Sequence, residues 1–593
     1  MTDIWTKITV QNVHQGVPTM INLNIDGIDV QVAEGTTILQ AAKQIHIDIP
    51  TLCHHEDLTV KSVCRICIVE VNGQKLLQPA CSYPVSEGMV VKTNTPRIIK
   101  NRRNIMELIF SHHPQDCLNC NKNGSCELQG IASDLNMSTP IRYEVETRGK
   151  EIDTSSPSIS FDGNKCILCG RCIEVCNDVQ TVGVLAKENR GYKTVVAPPY
   201  GKQLIDTACV NCGQCVQVCP VGALTINDET NKVYKSIEAG KILVAQIAPS
   251  SRTTIAEALG EEPGTVSAGR MVTAMKMIGF EYVFDTDFTA DLTIMEEGYE
   301  LLNRIKTDGI LPMMTSCCPG WVKFCETFYP KYTGHLSTAK SPQQMFGSVI
   351  KTYFANKSNI NPANIFSCSV MPCTAKKFEC QRPEMTDSGH QDVDAVLTVQ
   401  ELARMIKSAG INFANLDDTP FDDPFGLGTG AGEIFAATGG VMEAALRTVY
   451  EVFTGKALKD IEFTEVRGFA GLKEASIDIN GTIIKIAVVH SLGEARKIMD
   501  RVVNGDADYH FIEVMACPGG CIGGGGNPPR NWKKVGKRTI KVYSQEKDLP
   551  YRKSHESPAI KMIYDEFLGE PLSEKSHQLL HTKYVNRQDI LRI

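Results

Sequence analysis

The stretch His510-Phe-Ile-Glu-Val-Met-Ala-Cys-Pro-Gly-Gly-Cys521 decides how the larger part of this chain folds. Its first half is a short, mostly apolar run of the buried-strand type. Its second half is a cysteine-bearing turn that Pro518 and the following glycines keep out of a helix interior. The same form recurs in KILVAQIAPS (241–250), YVFDTDF (282–288) and FSCSVMPC (366–373), each a buried-type strand running into a loop. Between them VQELARMIKSAG (399–410) and TGGVMEAALRTVYEVF (438–453) carry apolar residues at helical spacing. Strands alternating with helices imply parallel sheets, which bind ligands at the carboxyl ends of their strands. The cysteines at 373 and at 517/521 fall at such ends. A site assembled from separate loops needs this placement.

Working outward, 593 residues suggest about four domains at roughly 150 residues each. The net charge of −7 and pI of about 6.1 give no support for a nucleic-acid partner. The basic stretch 531–541 (Lys533, Lys534, Lys537, Arg538) reads as a solvated face, with partner docking as the alternative. MTDIWTKITVQNV (1–13) has neither a signal-peptide core nor a twin arginine, and no apolar run reaches the ~18 residues of a membrane span. The expected location is the cytoplasm. The 23 cysteines, an odd number, are tightly and repeatedly spaced, which favours metal binding over a disulfide scaffold.

CILCGRCIEVC (166–176) and CVNCGQCVQVCP (209–220) both space their cysteines by two, two and three residues. This is the signature of the bacterial two-cluster ferredoxins, in which the fourth cysteine of each run binds the other run's cluster. One 4Fe–4S cluster is thus expected on Cys166, Cys169, Cys172 and Cys219, and a second on Cys209, Cys212, Cys215 and Cys176; the first run departs slightly, ending in Cys-Asn rather than Cys-Pro. Nearer the N-terminus, INLNIDGIDVQVAEG (21–35) reads as a hairpin turning at Asp26-Gly27. Thr36 or Thr37 caps a helix over ILQAAKQIH (38–46), and ICIVEVNGQKLL (66–77) reads as strand–turn–strand. Around them lie Cys53-x10-Cys64-x2-Cys67-x13-Cys81. With DIPTLCHHEDL (48–58) and SVCRICIVEV (62–71), this group resembles the N-terminal 2Fe–2S domain shared by hydrogenases and the large iron–sulfur subunit of respiratory complex I. Next, IIKNRRNIMELIFSH (98–112) predicts an amphipathic helix leading into His113-x3-Cys117-x2-Cys120-x5-Cys126. That spacing looks like the 4Fe–4S module of the same families held by one histidine and three cysteines, with His112 adjacent as the other candidate. DTSSPS (153–158) reads as a linker.

Three motifs carry the reaction: Thr315-Ser-Cys-Cys-Pro-Gly-Trp321, Met371-Pro-Cys-Thr-Ala-Lys-Lys-Phe-Glu379, and Glu513-Val-Met-Ala-Cys-Pro-Gly-Gly-Cys521. In order and content they resemble the signature loops of the iron–iron (FeFe) hydrogenases. The resemblance implies reversible proton reduction to hydrogen at a six-iron H-cluster: a 4Fe–4S cube on Cys318, Cys373, Cys517 and Cys521, bridged by Cys521 to a diiron subsite carrying carbon monoxide, cyanide and a dithiolate amine. One 2Fe–2S and three accessory 4Fe–4S clusters would relay electrons. It further implies that Lys376 pairs with a cyanide and that Pro249, Ser250, Gln343, Met371, Phe435 and Met515 shape the pocket. Cys317 becomes the proton donor to the bridging amine, with Glu297, Ser337, Glu300 and Arg304 as the proton route. Taken alone, Glu297, Glu300 and Arg304 would be an exposed, salt-bridged helix face. Cys325, Cys368 and Cys380 remain as buried apolar residues. Gly426-x-Gly428-x-x-Ala431 follows no strand, and Gly523–Gly526 lack the Lys-Ser/Thr of a phosphate loop, so neither predicts a nucleotide site.

The expected fold is α+β and multidomain. It comprises a ferredoxin-like β-grasp domain (1–97), a one-His/three-Cys module (98–145), a two-cluster ferredoxin domain (146–235) and a two-lobed α/β hydrogenase domain (236–593). The resemblance to complex I favours a catalytic subunit of a flavin-containing, NAD(P)-linked assembly, electron-bifurcating assemblies included. The alternative is a stand-alone ferredoxin-dependent hydrogenase. Maturation proteins would install the centre. A non-catalytic relay or assembly protein would lack the proton cysteine or the complete loops, and a complex I-type subunit would explain only residues 1–230.

Overall fold

The computed structural model describes residues 19–137, 142–143, 149–458, 460–479 and 481–591. The reading of residues 1–13 and the expected boundary at 145/146 lie outside them.

The N-terminal sheet has five strands, β1 (Met20–Ile25), β2 (Ile28–Ala33), β3 (Ile68–Val71), β4 (Gln78–Pro79) and β5 (Met89–Lys92), in the order β2-β1-β5-β3-β4. β1 and β2 form the expected hairpin, with Asp26 (φ 51°) and Gly27 (φ 91°) both left-handed at its turn. β1 pairs in parallel with β5, and the helix Ile38–Gln44 makes the crossover, packing Ile38, Ala41 and Ala42 on the sheet. Thr37, rather than Thr36, caps this helix in a reciprocal box with Gln40, an arrangement worth about 1 kcal/mol. The strand after β3 begins only at Gln78, because Lys75–Leu77 swing outward with Leu76 exposed. The next helix spans Pro96–Phe110, two residues earlier than its apolar pattern predicts, since Thr95 caps it and Pro96 takes the first helical position.

In the relay region β6 (Ile159–Phe161) pairs antiparallel with β9 (Leu224–Ile226), and β7 (Ala186–Glu188) with β8 (Val195–Ala197). The first pair brackets both cysteine runs. DTSSPS is not a linker: Ser156 and Ser158 are 1% and 0% exposed, and the Ser158 hydroxyl donates to the Thr374 carbonyl at 2.7 Å. Small hydroxyls that read as a linker can equally well pack between domains when they find partners.

The larger part holds two four-stranded sheets. In one, β10 (Ile242–Ile247), β11 (Tyr282–Asp285), β13 (Ile365–Met371) and β14 (Ala395–Thr398) run parallel in the order β11-β10-β13-β14. The other is ordered β12-β17-β16-β15, from β12 (Met313–Met314), β15 (Leu472–Ile479), β16 (Thr482–His490) and β17 (Phe511–Met515). Only the β15/β16 hairpin is antiparallel there. The predicted helices appear at Val399–Ser408 and Gly440–Thr454. Residues 531–541 open the helix Trp532–Asp548, whose Arg538 is buried against Glu257 at 2.8 Å, so only part of that stretch is a solvated face.

Candidate active site

The strand ends converge. Immediately after β10, β11, β12, β13 and β17 the chain contributes Pro249-Ser250, Thr286, Cys317-Cys318, Pro372-Cys373 and Ala516-Cys517 to the wall of one cavity of about 90 Å³. Gln343, Lys376, Phe435 and Cys521 complete the parts of that wall that matter chemically, with Met371 and Met515 at the strand tips. Every pocket residue expected from sequence is therefore here.

Local chemistry fixes each loop. Thr315 clips β12 to β17: its amide donates to the Ile512 carbonyl at 3.0 Å and its hydroxyl accepts from the Val514 amide at 3.1 Å. Cys318 then caps the helix Pro319–Phe328, and its Sγ accepts from the Ala516 amide at 3.4 Å. The loop around Cys521 passes so close to its neighbours that a Cβ at Gly520 would lie 2.5 Å from the Thr438 amide nitrogen, and one at Gly524 2.3 Å from the Pro372 carbonyl oxygen. Glycine is required at both.

The donor set fits an H-cluster. Cys318, Cys373, Cys517 and Cys521 line one cavity; burial raises the thiol pKa of each, and the nearness of Cys318 adds to this at the other three, so a positive metal core is the natural partner of their thiolate forms. Lys376 donates to the Cys317 carbonyl at 3.2 Å and ion-pairs with Glu379 at 2.9 Å. Burial works against its charge, but Glu379 outweighs this and holds the Lys376 pKa above the usual lysine value. The ammonium stays positive beside the cavity, suited to an anionic ligand. Gln343 is locked by the Ser369 hydroxyl, which donates to its Oε1 at 2.8 Å.

From the cavity a polar line leads away. Burial, then the nearness of Glu297 and of neighbouring thiols, pushes the Cys317 thiol well above its ordinary pKa, so it carries a proton. Glu297, buried on the helix Asp287–Lys306, is raised to about 8 by burial first and by Glu300 second; Ser337 and the Ser316 amide oppose the shift. Ser337 donates to Glu300 Oε2 at 3.0 Å, and Arg304 donates to Glu300 Oε1 at 2.6 Å. The structure thus brings together all of the predicted route. Sequence reading missed Thr338, which donates to Glu300 Oε2 through its amide (2.9 Å) and hydroxyl (3.1 Å). It also missed His581, 2.8 Å from the Thr338 hydroxyl and 3.0 Å from Glu296. His581 lies far along the chain from Glu300 with no spacing to betray it. Glu379, three residues after Lys376 on one helix, could have been found from that spacing.

The relay cysteines also gather. Cys67 and Cys81 are 3.4 Å apart, and Cys53 hydrogen-bonds Cys64. Cys219 lies among Cys166, Cys169 and Cys172, while Cys176, Cys209, Cys212 and Cys215 line a separate cavity of about 30 Å³. The spacing predicts this same grouping of thiols across the two runs. Cys117, Cys120 and Cys126 are neighbours in turn, and a Cβ on Gly222 would lie 2.5 Å from Cys120 Sγ, so this module abuts the two-run domain. The His112 ring packs on Tyr192 at 5.1 Å, while His113 faces Phe110 edge-on at 6.4 Å. Cys325, Cys368 and Cys380 are buried, as expected. No helix among the described residues is long and apolar enough to cross a membrane.

Comparison with known proteins agrees with this architecture. Residues 241–525 match the family described as the iron only hydrogenase large subunit, C-terminal domain, and 533–587 the iron hydrogenase small subunit. Residues 18–96 match a 2Fe-2S iron-sulfur cluster binding domain, 102–140 the NADH-ubiquinone oxidoreductase-G iron-sulfur binding region, and 165–223 a 4Fe-4S dicluster domain. The NADP-reducing hydrogenase subunit HndD of Solidesulfovibrio fructosivorans is 49% identical over 96% of this chain and 100% of its own length. Iron hydrogenase 1 of Clostridium pasteurianum is 40% identical over 95% of this chain and all of its own. A solved apo [FeFe]-hydrogenase from Chlamydomonas reinhardtii aligns with a TM-score of 0.54 and 40% identity, covering 60% of this chain and 98% of that one. The chain belongs to the iron-only, or FeFe, hydrogenases: it is an oxidoreductase with iron–sulfur domains ahead of its hydrogenase domain.

Proposed function

We propose that this chain interconverts protons and hydrogen, 2H⁺ + 2e⁻ ⇌ H₂, as the catalytic subunit of a flavin-containing, NAD(P)-linked assembly. The observation that carries the reaction is the cavity itself, where four thiols from three separate strand-end loops line one space beside Cys317 and Lys376. When bound, the iron centre supplies the site at which electrons and protons combine. The chain's residues do the rest. Cys318, Cys373, Cys517 and Cys521 hold the centre, Lys376 offers a charge-assisted hydrogen bond to an anionic ligand, and Pro249, Ser250, Gln343, Met371, Phe435 and Met515 exclude water and fix its orientation. Cys317 delivers the proton and is recharged by Glu297, with Ser337 and Glu300 farther out along the route. Arg304 keeps Glu300 in place; a guanidinium stays protonated at any working pH and so serves as an anchor.

Cys53, Cys64, Cys67 and Cys81 would hold a 2Fe–2S cluster, His113, Cys117, Cys120 and Cys126 a 4Fe–4S cluster, and the two crossed cysteine sets two more, and these would supply the route for electrons. The units follow the boundaries 1–97, 98–145, 146–235 and 236–593. The NAD(P)-linked reading is supported by the full-length similarity to an NADP-reducing hydrogenase subunit. It places the protein in the cytoplasm and includes electron bifurcation between ferredoxin and NAD(P). Anaerobically matured protein should show infrared bands of iron-bound carbon monoxide and cyanide and evolve hydrogen from reduced viologen. Bandless, inactive material after full maturation would overturn the reading. Co-purification with a flavoprotein subunit, and a joint requirement for ferredoxin and NAD(P), test the partner assignment.

A further inference from the structure

The loop carrying Cys209, Cys212 and Cys215 is interlocked with the catalytic loops. At its tip Gly213 (φ +70°) leaves no room for a side chain: a Cβ there would lie 2.5 Å from Thr374 Oγ1 and 3.1 Å from the Gly525 Cα. Thr374 donates to the Asn211 carbonyl at 2.6 Å. Two residues before Cys219, Gln217 is 7% exposed and turns its amide nitrogen to the carbonyls of Gly524 (3.2 Å), Gly525 (3.1 Å) and Asn527 (2.7 Å). Its Oε1 accepts from the Arg530 amide at 3.2 Å. Gln214, wholly buried, donates to the Gly523 carbonyl at 3.1 Å and accepts from Arg530 Nε at 3.3 Å. Arg530 then pairs with Asp57, just past Cys53, at 2.7 Å.

A run of four glycines has no side chains with which to hold itself, and its buried carbonyls must find donors from elsewhere. For Gly523, Gly524 and Gly525 the relay domain supplies side-chain donors, while Gly526 accepts from the Gln400 amide at 3.3 Å. They are neutral amides, which position the loop without placing an unpaired charge between two sulfur-rich sites. We propose that Gln217, with Gln214 and Arg530, is a positioning set for electron entry: it fixes the gap between the cluster on Cys209, Cys212, Cys215 and Cys176 and the catalytic centre. This rests on the ligand assignment given under Proposed function.

The test uses the full, matured chain carrying Gln217→Met, which keeps length but loses both amide functions, and Gln217→Glu, which keeps an acceptor for Arg530 but loses the donors. Three quantities are read in each: the infrared carbon monoxide and cyanide bands, H₂/D⁺ exchange, which needs no net electron supply, and viologen-driven hydrogen evolution. Bands and exchange should stay within about twofold of the unaltered protein, while evolution falls at least about tenfold, a modest loss for a contact set by sub-ångström placement. Evolution at the original rate overturns the proposal. So does exchange falling in step with evolution, and so does loss of the bands, either of which would make Gln217 part of the catalytic loop's own support. Missing bands in the unaltered protein would instead overturn the underlying functional reading.

Discussion

Between Cys166 and Cys176 one turn of chain supplies four thiols, and a near-copy at 209–219 supplies four more. The cavity thiols Cys318, Cys373, Cys517 and Cys521 come instead from the ends of β12, β13 and β17, which belong to two different sheets. The relay geometry is written largely into short spacings and left-handed glycines such as Gly170 (φ 83°), with the tip at Gly213 (φ 70°) also packed against the catalytic loops. The catalytic geometry exists only when both sheets are in register and the Thr315 clip joins β12 to β17. The relay should therefore survive perturbations that empty the catalytic cavity, and the reverse should rarely hold.

The sharpest way to break this contrast is Cys521→Ala. The infrared bands of the diiron subsite should vanish altogether, while the visible absorption and low-temperature paramagnetic signals of the relay clusters persist. Simultaneous loss of both would show the two halves to be one cooperative unit. Cys317→Ala comes next. It leaves every metal ligand in place and should keep the bands, but turnover should drop by about 10²–10⁴, the range for removing a positioned proton donor. Cys317→Asp should recover part of that. An alanine variant of full activity would remove Cys317 from the proton route.

Glu297→Gln tests the same route by pH. Glu297 is raised to about 8 in the fold from an ordinary value of 4.5, so the folded chain binds a proton there that the unfolded chain releases. Its contribution to stability is complete below about 4.5 and is lost as pH rises through about 8. The glutamine variant should therefore denature with a flatter pH dependence across that window, measured by urea unfolding, and should turn over on the order of a hundredfold more slowly. An unchanged pH slope would mean that Glu297 is ionised in the fold.

Much of this was legible in advance, because both kinds of cysteine site leave marks in sequence. Spacing alone indicates the crossed relay, and strand-then-cysteine marks the cavity rim. What stayed hidden depends on contacts between remote segments. Ser156 and Ser158 read as a linker because their partners, Asn211 and the Thr374 carbonyl, are supplied by remote segments, the second of them in the hydrogenase domain. Arg538 read as surface because Glu257 is far away in the chain. His581 has no local signature, since its hydrogen bonds to Thr338 and Glu296 form only after the last helix returns to the core. Glu297 and Glu300 show the opposite failure. Their spacing suggests an exposed face, and only burial of the helix Asp287–Lys306 turns that face into an internal line of carboxylates.

The gentlest test lies wholly on the relay side. Cys219 belongs by sequence to the second run, yet it stands among Cys166, Cys169 and Cys172, and Cys176 of the first run stands with Cys209, Cys212 and Cys215. If each run closed on itself, Cys219→Ala would damage the cluster adjoining Gly213 and the catalytic loops. In the crossed arrangement it should cost about four irons per chain from the site remote from those loops. H₂/D⁺ exchange should then remain within about twofold, because exchange depends on the proton line and the cavity rather than on the outer relay. Cys176→Ala removes the same amount of iron from the inner site, and its electron-driven evolution should suffer more. Equal behaviour of the two variants in iron content, exchange and evolution would make the two sites functionally indistinguishable, and the inner one could no longer be assigned as the last stop before the catalytic centre.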